Sequence, residues 1–568
     1  MKLQYKLLFI VVALVGLSSC NDFLETIPDT RVYLQNLDQL EQLMVSGYAD
    51  NSYTVLGELS SDNVDDLNSP DATGLRYNYS PADRYHEQLY RWEDVDLSIS
   101  EQNCPSAVWE SYYKAIAIAN MVLEVVDEIE STGEIEGTPM TPRDRSRLAA
   151  VKGEAYLIRA YHHYILAQLF CMPYRGPELS QHELGIPYAT KPETSLKPHY
   201  ERGTLQETYD KIEADLLLGL ANVSDDYYEV PKYHFNVAAA NAFAARFYLA
   251  KREYEKVVKY ATASFKGNDP ATMRNDFWDL AEEFYDEDEA ARYYTSVERP
   301  GNYMMIDTYS TWLRSYGGRF WTHRDAATAT IYGSGPTWNR LMPCFGSHLY
   351  GSDSYGYILS CNCWEQFEYT DKIAGIGYVH MVRNEFTSQE TLLFRAEANL
   401  FLGNIDAAFD DLYIWNHEHI MQREISDNYG SMSELDKEKI ANFYIRADRI
   451  TASNSAYPIV KKFHIDEVCP SDKYHVTSEI EPYLQCVQHF RRIQTVHMGQ
   501  RWFDIKRYGF EVKHKWGKDE VVVLQPCDKR YAIQIPDDVI GAGLEPNPAT
   551  NHDSISKEEQ FTLRCISQ

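Results

Sequence analysis

Long hydrophobic runs and positive charge are both scarce in this chain of 568 residues. After residue 19, no apolar stretch approaches the roughly 18 residues that a membrane-spanning helix needs. The chain carries 84 acidic but only 54 basic side chains, which gives a formal net charge of −30. Such a protein is repelled by phosphate backbones and by anionic lipid. We therefore expect neither a spanning helix nor a nucleic-acid partner.

Signatures of catalysis and metal binding are also missing. The chain has no GxSxG nucleophile elbow and no GxxxxGK phosphate loop. His417 and His419 are two residues apart, so on a helix they point to different faces, unlike the ligands of a zinc helix. We expect no enzyme activity, no cofactor and no metal site. The less favoured alternative is calcium at the acidic segment 62–66, which has oxygen ligands but not the spacing of an EF-hand.

Low-complexity linkers are absent, and cysteine is sparse. No Pro/Gly/Ser-rich tract divides the chain, which favours one large domain. The ten cysteines include Cys20, which leaves an odd number for pairing. Cys361 and Cys363 form the only close pair and lack a second pair of ligands at zinc-like spacing. We expect free or separately paired thiols.

The amino terminus has the pattern of a secretory signal. Lys2 and Lys6 precede an apolar run at residues 7–17, and two serines then precede Cys20. This order resembles a bacterial lipoprotein lipobox, in which the thiol is joined to diacylglycerol and the new amino terminus is acylated, for example with palmitate. Residues 1–19 are therefore interpreted as a lipoprotein signal peptide. An ordinary secretory signal that happens to end in cysteine is the alternative.

Helical periodicity dominates the first half of the chain. From Trp109, apolar residues recur at helical spacing until the turn at residues 131–133. A second series runs from Leu148 and stops at Pro173. A capping box formed by Thr204 and the residue three positions later starts a third helix. The sequence therefore predicts a mainly α fold.

Two later segments share a spacing of small and apolar residues. The pattern at residues 245–261 recurs at residues 396–412. Both segments resemble degenerate tetratricopeptide units, in which small residues let paired helices approach closely. We expect a curved helical scaffold over residues 30–266 and 390–510, interrupted by a large insertion.

That insertion, residues 267–389, is repeatedly broken by glycine and proline and is rich in tryptophan and tyrosine. A second aromatic stretch precedes the Trp109 helix. Aromatic side chains on loops of a rigid scaffold are suited to bind sugar rings or peptide side chains. We predict one ligand surface, with stacking by Trp92, Trp312, Tyr316, Trp321, Tyr332 and Trp338, and hydrogen bonding by Arg319 and Asp325. Packing in the core is the alternative for each aromatic residue.

Several ordered motifs connect these segments. They are the helix at 109–123, KGEAYLIRA at 152–160, LFRAEA at 393–398, GQRWFDIKR at 499–507, and IQIP at 533–536 followed by Asn547 and Pro548. In this order they resemble the SusD/RagB family of lipid-anchored nutrient-binding proteins of Bacteroidetes. Asn399, where the family usually has tyrosine, and Ala532, near an expected proline, depart from the family pattern.

The resemblance implies a single SusD-like domain at residues 20–568, with tetratricopeptide-like helical pairs, a loop-rich subdomain with a few short strands, and an irregular part from residue 511. It implies a lipid-anchored protein of the outer membrane, facing the cell surface, that binds oligosaccharide or polysaccharide and delivers it to a SusC-like TonB-dependent transporter. A peptide-binding RagB-like lipoprotein and a lipid-anchored glycan hydrolase are the alternatives. Within the motif at 499–507, Arg501 and Asp504 are expected to pair with each other or to cap a helix.

Overall fold

The computed structural model describes residues 36–71, 74, 76, 84–95, 101–193, 199–273, 287–328, 334–338, 348–350, 357–359, 361–419, 434–451 and 457–548. The predicted lipidation residue Cys20 and the predicted ligand residue Tyr332 lie outside these ranges. Within them, helices are the main secondary structure, as predicted.

The helices are α1 (Leu37–Val45), α2 (Thr54–Ser60), α3 (Arg84–Tyr90), α4 (Pro105–Thr132), α5 (Pro142–Phe170), α6 (Pro177–Ser180), α7 (Leu205–Asn222), α8 (Val237–Lys251), α9 (Tyr254–Ser264), α10 (Glu287–Tyr294), α11 (Arg324–Thr328), α12 (Ser388–Phe401), α13 (Ile405–His419), α14 (Lys437–Thr451), α15 (Ile465–Val468), α16 (Glu481–Gln494), α17 (Arg501–Tyr508) and α18 (Asp537–Gly541). The strands are β1 (Asp65–Asp66), β2 (Glu134–Ile135), β3 (Thr138–Pro139), β4 (Asn302–Thr308), β5 (Phe320–Trp321), β6 (His348–Tyr350), β7 (Tyr357–Leu359), β8 (Gln366–Asp371), β9 (Ile376–Thr387), β10 (Val512–Trp516) and β11 (Glu520–Leu524).

The long helices begin and end where local chemistry favours it. The Thr204 hydroxyl accepts from the Glu207 backbone N–H, and the Glu207 carboxylate accepts from the Thr204 backbone N–H, so α7 starts at a capping box. α4 ends before Gly133, which adopts the left-handed conformation with φ 72°. Both ends match the prediction. α5 starts at Pro142, which is earlier than the apolar pattern predicts. The pattern misses the first turns of the helix because their residues are largely exposed and polar.

The two segments predicted to be tetratricopeptide-like form two helical pairs. One pair is α8 with α9, and the other is α12 with α13. Alanines such as Ala245 and Ala396 are fully buried in these helices. α9 also packs against α12, so the two pairs are neighbours although the insertion separates them in sequence. Small side chains allow this close packing between helices.

The insertion contains a three-stranded antiparallel sheet in the order β4, β9, β8. The inner part of β9, residues 381–387, pairs with β4, and its outer part, residues 376–380, pairs with β8. β9 is exposed at Ile376 and buried from Arg383 onward. β8 and the outer part of β9 therefore project from the scaffold as a hairpin.

A network of buried ion pairs joins the amino-terminal segment to the carboxy-terminal helices. Asp62 accepts from Arg501 Nε at 2.8 Å and lies 2.8 Å from Lys461 Nζ. Burial opposes the ionisation of Asp62, but Arg492, Arg501 and Lys461 outweigh it and hold its pKa well below the usual range. Removing one partner would leave a buried charge uncompensated, so the network fixes how these segments meet.

The same network corrects the expectation for the motif at residues 499–507. Arg501 pairs with Asp62, whereas Asp504 accepts from Arg491 Nε at 2.9 Å. The two residues thus pair with different partners rather than with each other, because the motif lies between two other charged elements. Both side chains stabilise the scaffold.

The described residues bear on two sequence predictions, the state of the thiols and the lack of a membrane-spanning helix. Among the described cysteines, Cys104, Cys171, Cys469 and Cys486 are free thiols. None of the described helices is long and apolar enough to cross a membrane.

Candidate ligand-binding site

Trp312 and Trp321 lie in a buried aromatic cluster. Their rings stack with centroids 4.7 Å apart, and the ring of His497 meets Trp321 edge-on at 4.6 Å. Both indoles are fully buried, and the half-buried Tyr316 ring meets Trp321 edge-on at 5.9 Å. A ring stacks on a sugar only through an exposed face. This placement corresponds to core packing by the two tryptophans, contrary to the predicted ligand contact.

Trp92 and Trp338 are also buried, at separate places. Trp92 stacks on His514 with centroids 4.2 Å apart, and its Nε1 donates to the Ser60 carbonyl at 2.9 Å. Trp338 lies beside Phe490 with centroids 6.1 Å apart. The four predicted tryptophans therefore do not form one open surface.

The predicted polar residues are engaged in ion pairs. Arg319 donates to Asp66 Oδ1 at 2.7 Å and also pairs with Glu87. Asp325 accepts from Lys515 Nζ at 3.1 Å. These pairs tie the insertion to the rest of the chain, and one of them engages Asp66 of the acidic segment at residues 62–66. In the described part of the chain, no group of three His, Cys, Asp or Glu residues is placed to hold a metal ion.

Exposed aromatic residues lie elsewhere in the insertion, on the hairpin of β8 and the outer part of β9. We call residues 366–380 the aromatic hairpin. Phe367, Tyr369 and Tyr378 are 49%, 52% and 46% exposed, and Ile373 at the tip is fully exposed. Large apolar groups clustered on a protein surface commonly mark a binding site. The aromatic hairpin is therefore the candidate ligand-binding site.

The turn of the aromatic hairpin follows from its sequence. Asp371 Oδ1 accepts from the backbone N–H groups of Ile373 and Ala374 at 2.9 and 3.0 Å. Gly375 adopts φ 67°, which L side chains rarely take. Aspartate at the start and glycine in the left-handed position are favoured turn chemistry. The turn brings β8 and β9 into antiparallel register.

One face of the hairpin is aromatic. Phe367 and Tyr369 lie on the same side of β8 because side chains alternate along a strand, and their rings meet edge to face at 4.8 Å. Gly377 lies opposite Tyr369 on β9. A methyl group on Gly377 would come within 2.7 Å of Phe367 Cε1. The bare glycine lets the Phe367 ring lie across the strand, which leaves an apolar surface suited to the face of a sugar ring.

The opposite face, which we call the polar face, carries Glu368, Tyr378 and His380, with Asp307 of β4 beside them. Glu368 and Tyr378 are paired across the strands, and the Tyr378 hydroxyl donates to Glu368 Oε2 at 3.1 Å. His380 Nδ1 lies 2.6 Å from Asp307 Oδ1, and its Nε2 lies 3.8 Å from Glu368 Oε2. Carboxylate oxygens beside an aromatic ring can bond sugar hydroxyls while the ring covers CH groups.

Asp307 sets the charge of the polar face. Its hydrogen bond raises the pKa of His380 above the ordinary 6.5, against the effect of partial burial. Partial burial and the nearby charge of Asp307 raise the pKa of the phenol of Tyr233, which is 40% exposed. Tyr233 therefore also lies close to the polar face. The face thus combines two exposed tyrosines with two carboxylates and one imidazole.

A sequence signal exists for this hairpin. Residues 366–370 alternate polar and apolar side chains ahead of an Asp-to-Gly turn, a period typical of strands. The glycines of the insertion predict only interruptions of helix, and the six predicted stacking residues, four tryptophans with Tyr316 and Tyr332, do not include Phe367, Tyr369 or Tyr378. The alternation predicts the hairpin, but exposure depends on what the rest of the chain leaves uncovered.

Residues 22–249 match the SusD-like family described as starch-binding and associating with the outer membrane. The fold agrees with solved structures over nearly the whole chain. A SusD superfamily protein from Bacteroides vulgatus ATCC 8482 superposes with a TM-score of 0.58 at 17% identity, over 91% of this chain and 100% of that chain. The chain therefore has the SusD-like fold, and its residues 22–249 are similar to the SusD-like family.

Other SusD-like structures are similar in the same way. A SusD superfamily protein from Bacteroides thetaiotaomicron VPI-5482 has a TM-score of 0.51 at 18% identity, over 90% of this chain and 100% of that chain. A SusD-like carbohydrate binding protein from Bacteroides vulgatus ATCC 8482 has a TM-score of 0.50 at 13% identity, over 92% and 100%. No curated protein matches the chain. At these identities the solved structures establish the SusD-like fold.

Proposed function

We propose that this SusD-like protein is a cell-surface lipoprotein that captures an oligosaccharide or polysaccharide on the aromatic hairpin. It then delivers the glycan to a SusC-like TonB-dependent transporter in the outer membrane. The family description, starch-binding and associating with the outer membrane, supports glycan capture at that membrane. The observation that carries the choice of site is the exposed aromatic face of the hairpin with carboxylates on its other side.

Capture follows from the chemistry of the aromatic face. Burying about 100 Å² of sugar CH surface against Phe367 and Tyr369 contributes about 2.5 kcal/mol before the cost of ordering the ligand. An open hairpin gives modest affinity and fast release, which suits capture followed by transfer.

Calorimetry of the soluble protein without residues 1–20 tests this function. The probes are maltoheptaose, other neutral oligosaccharides and a set of peptides, each titrated into the wild type and into a Phe367→Ala/Tyr369→Ala variant. We expect glycan binding by the wild type and its loss in the variant. Turnover of the glycan during the titration would instead favour the hydrolase alternative.

Extended peptides are the second candidate ligand because β8 is an edge strand. In the described sheet, β8 pairs with β9 on one side, and residues 367–371 are exposed. An extended peptide can join such an edge through main-chain hydrogen bonds. Binding of peptides and of no glycan in the same titrations would select this alternative.

A further inference from the structure

We propose that the aromatic face of the hairpin selects O-acetylated glycans over the same glycans without acetyl groups. The inference rests on the proposed glycan binding at the aromatic hairpin and adds the chemical class of the preferred ligand. It follows from the small number of hydrogen-bonding groups on this face and from the apolar surface beside the Phe367 ring.

Four residues form the aromatic face. Phe367 is directly opposite Val379, and Tyr369 is directly opposite Gly377, so their side chains or Cα atoms share one side of the hairpin. Of the four, only Tyr369 has a polar side-chain atom, its hydroxyl oxygen. Side chains alternate along a strand, so the other face carries the polar residues at positions 366, 368, 378 and 380. A sugar stacked on the aromatic face therefore meets a single hydrogen-bonding side chain.

Val379 leaves apolar surface beside the Phe367 ring. The ring leans over Gly377, where a Cβ atom would come within 2.7 Å of Phe367 Cε1, rather than over its direct partner Val379. Val379 is only half-buried, and Cβ atoms of direct partners are about 5 Å apart. The Tyr369 ring meets the Phe367 ring edge to face at 4.8 Å on another side. One edge of a sugar lying on Phe367 therefore reaches Val379.

Hydroxyl and acetyl groups differ in how well they suit this edge. A sugar hydroxyl turned towards Val379 gives up its water and finds no hydrogen-bond partner there, which opposes binding. Asp371, nearer the tip, already accepts from two backbone N–H groups of the turn. An acetyl ester has no donor to leave unpaired, and its methyl group adds apolar contact with Val379. Burying about 40 Å² of that methyl group corresponds to roughly a fivefold gain in affinity.

Calorimetry with matched neutral probes tests the selectivity. The probes are xylohexaose and maltoheptaose, each used bare and partially O-acetylated, and mild alkali regenerates the bare sugar from the acetylated one as a control. We expect the acetylated probe to bind roughly fivefold more tightly than its bare partner. Its heat-capacity change of binding should be more negative, because more apolar surface is buried. Since both members of a pair are uncharged, moderate salt should leave the difference unchanged.

Three variants locate the preference on the aromatic face. Val379→Thr keeps the shape of the side chain but replaces a methyl group by a hydroxyl, so it should bring the bare and acetylated affinities to within about twofold. Val521→Thr makes the same change at a 53% exposed position in β11 and should preserve the preference. Phe367→Ala/Tyr369→Ala should strongly weaken both members of each pair. Thermal unfolding checks that each variant folds.

The outcomes distinguish the two proposals. If a bare probe binds and its acetylated partner binds no more tightly, or if the preference survives Val379→Thr, acetyl selectivity is overturned and glycan capture stands. If no probe binds, or Phe367→Ala/Tyr369→Ala leaves binding unchanged, glycan capture at the hairpin fails and the selectivity fails with it. A preference that is lost in Val379→Thr and kept in Val521→Thr supports both proposals.

Discussion

Trp312 illustrates how a large aromatic side chain can stabilise the insertion without contacting a ligand. Its indole is fully buried, stacks on Trp321 and meets the His497 ring edge-on. The sequence favoured a ligand contact because tryptophan in a glycine-rich segment commonly lies on a surface loop. Which ring is covered depends on contacts with distant residues such as His497, and no local pattern encodes those contacts.

Trp312→Ala should therefore destabilise the protein by about 3 to 5 kcal/mol, since it leaves a cavity in a packed cluster. Urea unfolding measures the change in the free energy of unfolding. Ile445→Ala, which removes an exposed side chain, should change it by less than about 0.5 kcal/mol. A change below about 1 kcal/mol for Trp312→Ala would show that the ring is not packed in solution and would revive its role as a stacking platform.

His380 carries a second prediction at the scale of single residues. The Asp307 carboxylate raises its pKa, so Asp307→Asn should lower that pKa towards 6.5. The stabilisation from this pair is complete below about pH 6.5 and is lost as pH rises through the raised folded pKa.

NMR titration of the His380 ring reports the pKa directly. Asp466→Asn, which changes a carboxylate beside another histidine, serves as the control and should leave the His380 pKa unchanged. An unchanged His380 pKa in Asp307→Asn would show that Asp307 does not set the charge of the polar face.

At the scale of elements, local signals predicted the helices well. The capping residues of α7, the glycine after α4 and the small residues of the two helical pairs all act through near neighbours, so the chain encodes them locally. The hairpin is different, because its alternation is short and its exposure is a property of the surrounding sheet. The ion pairs of Asp62 with Arg501 and of Asp504 with Arg491 were also beyond sequence reasoning, since each joins separate segments of the chain.

At the scale of the whole molecule, the proposed anchor and the proposed binding site act together. A domain tethered through Cys20 stays close to one patch of membrane while the hairpin remains free to meet ligand. Charge supports the same picture, since an acidic domain is not held against anionic lipid by its own surface. The proposed tether would then keep the domain near the proposed transporter.

Cys20→Ala should leave glycan binding in solution unchanged but impair glycan uptake by cells that depend on this protein. In the proposed anchor, the acyl chains on Cys20 would supply the membrane affinity, because each buried CH₂ contributes roughly 0.8 kcal/mol. Cell fractionation and uptake of a labelled glycan measure the two effects, with a conservative Cys527→Ala variant as the control. Full uptake by the unlipidated form would contradict the proposed anchor.

The central claim is that the aromatic face of the hairpin binds the glycan, and calorimetry of Phe367→Ala/Tyr369→Ala beside Ile445→Ala tests it most directly. Both variants remove exposed apolar side chains, but only the first changes the proposed site. The account predicts that the hairpin variant loses at least about tenfold in affinity, because roughly 2.5 kcal/mol of stacking is removed, while Ile445→Ala binds as the wild type does. Equal affinity in all three proteins would contradict the account.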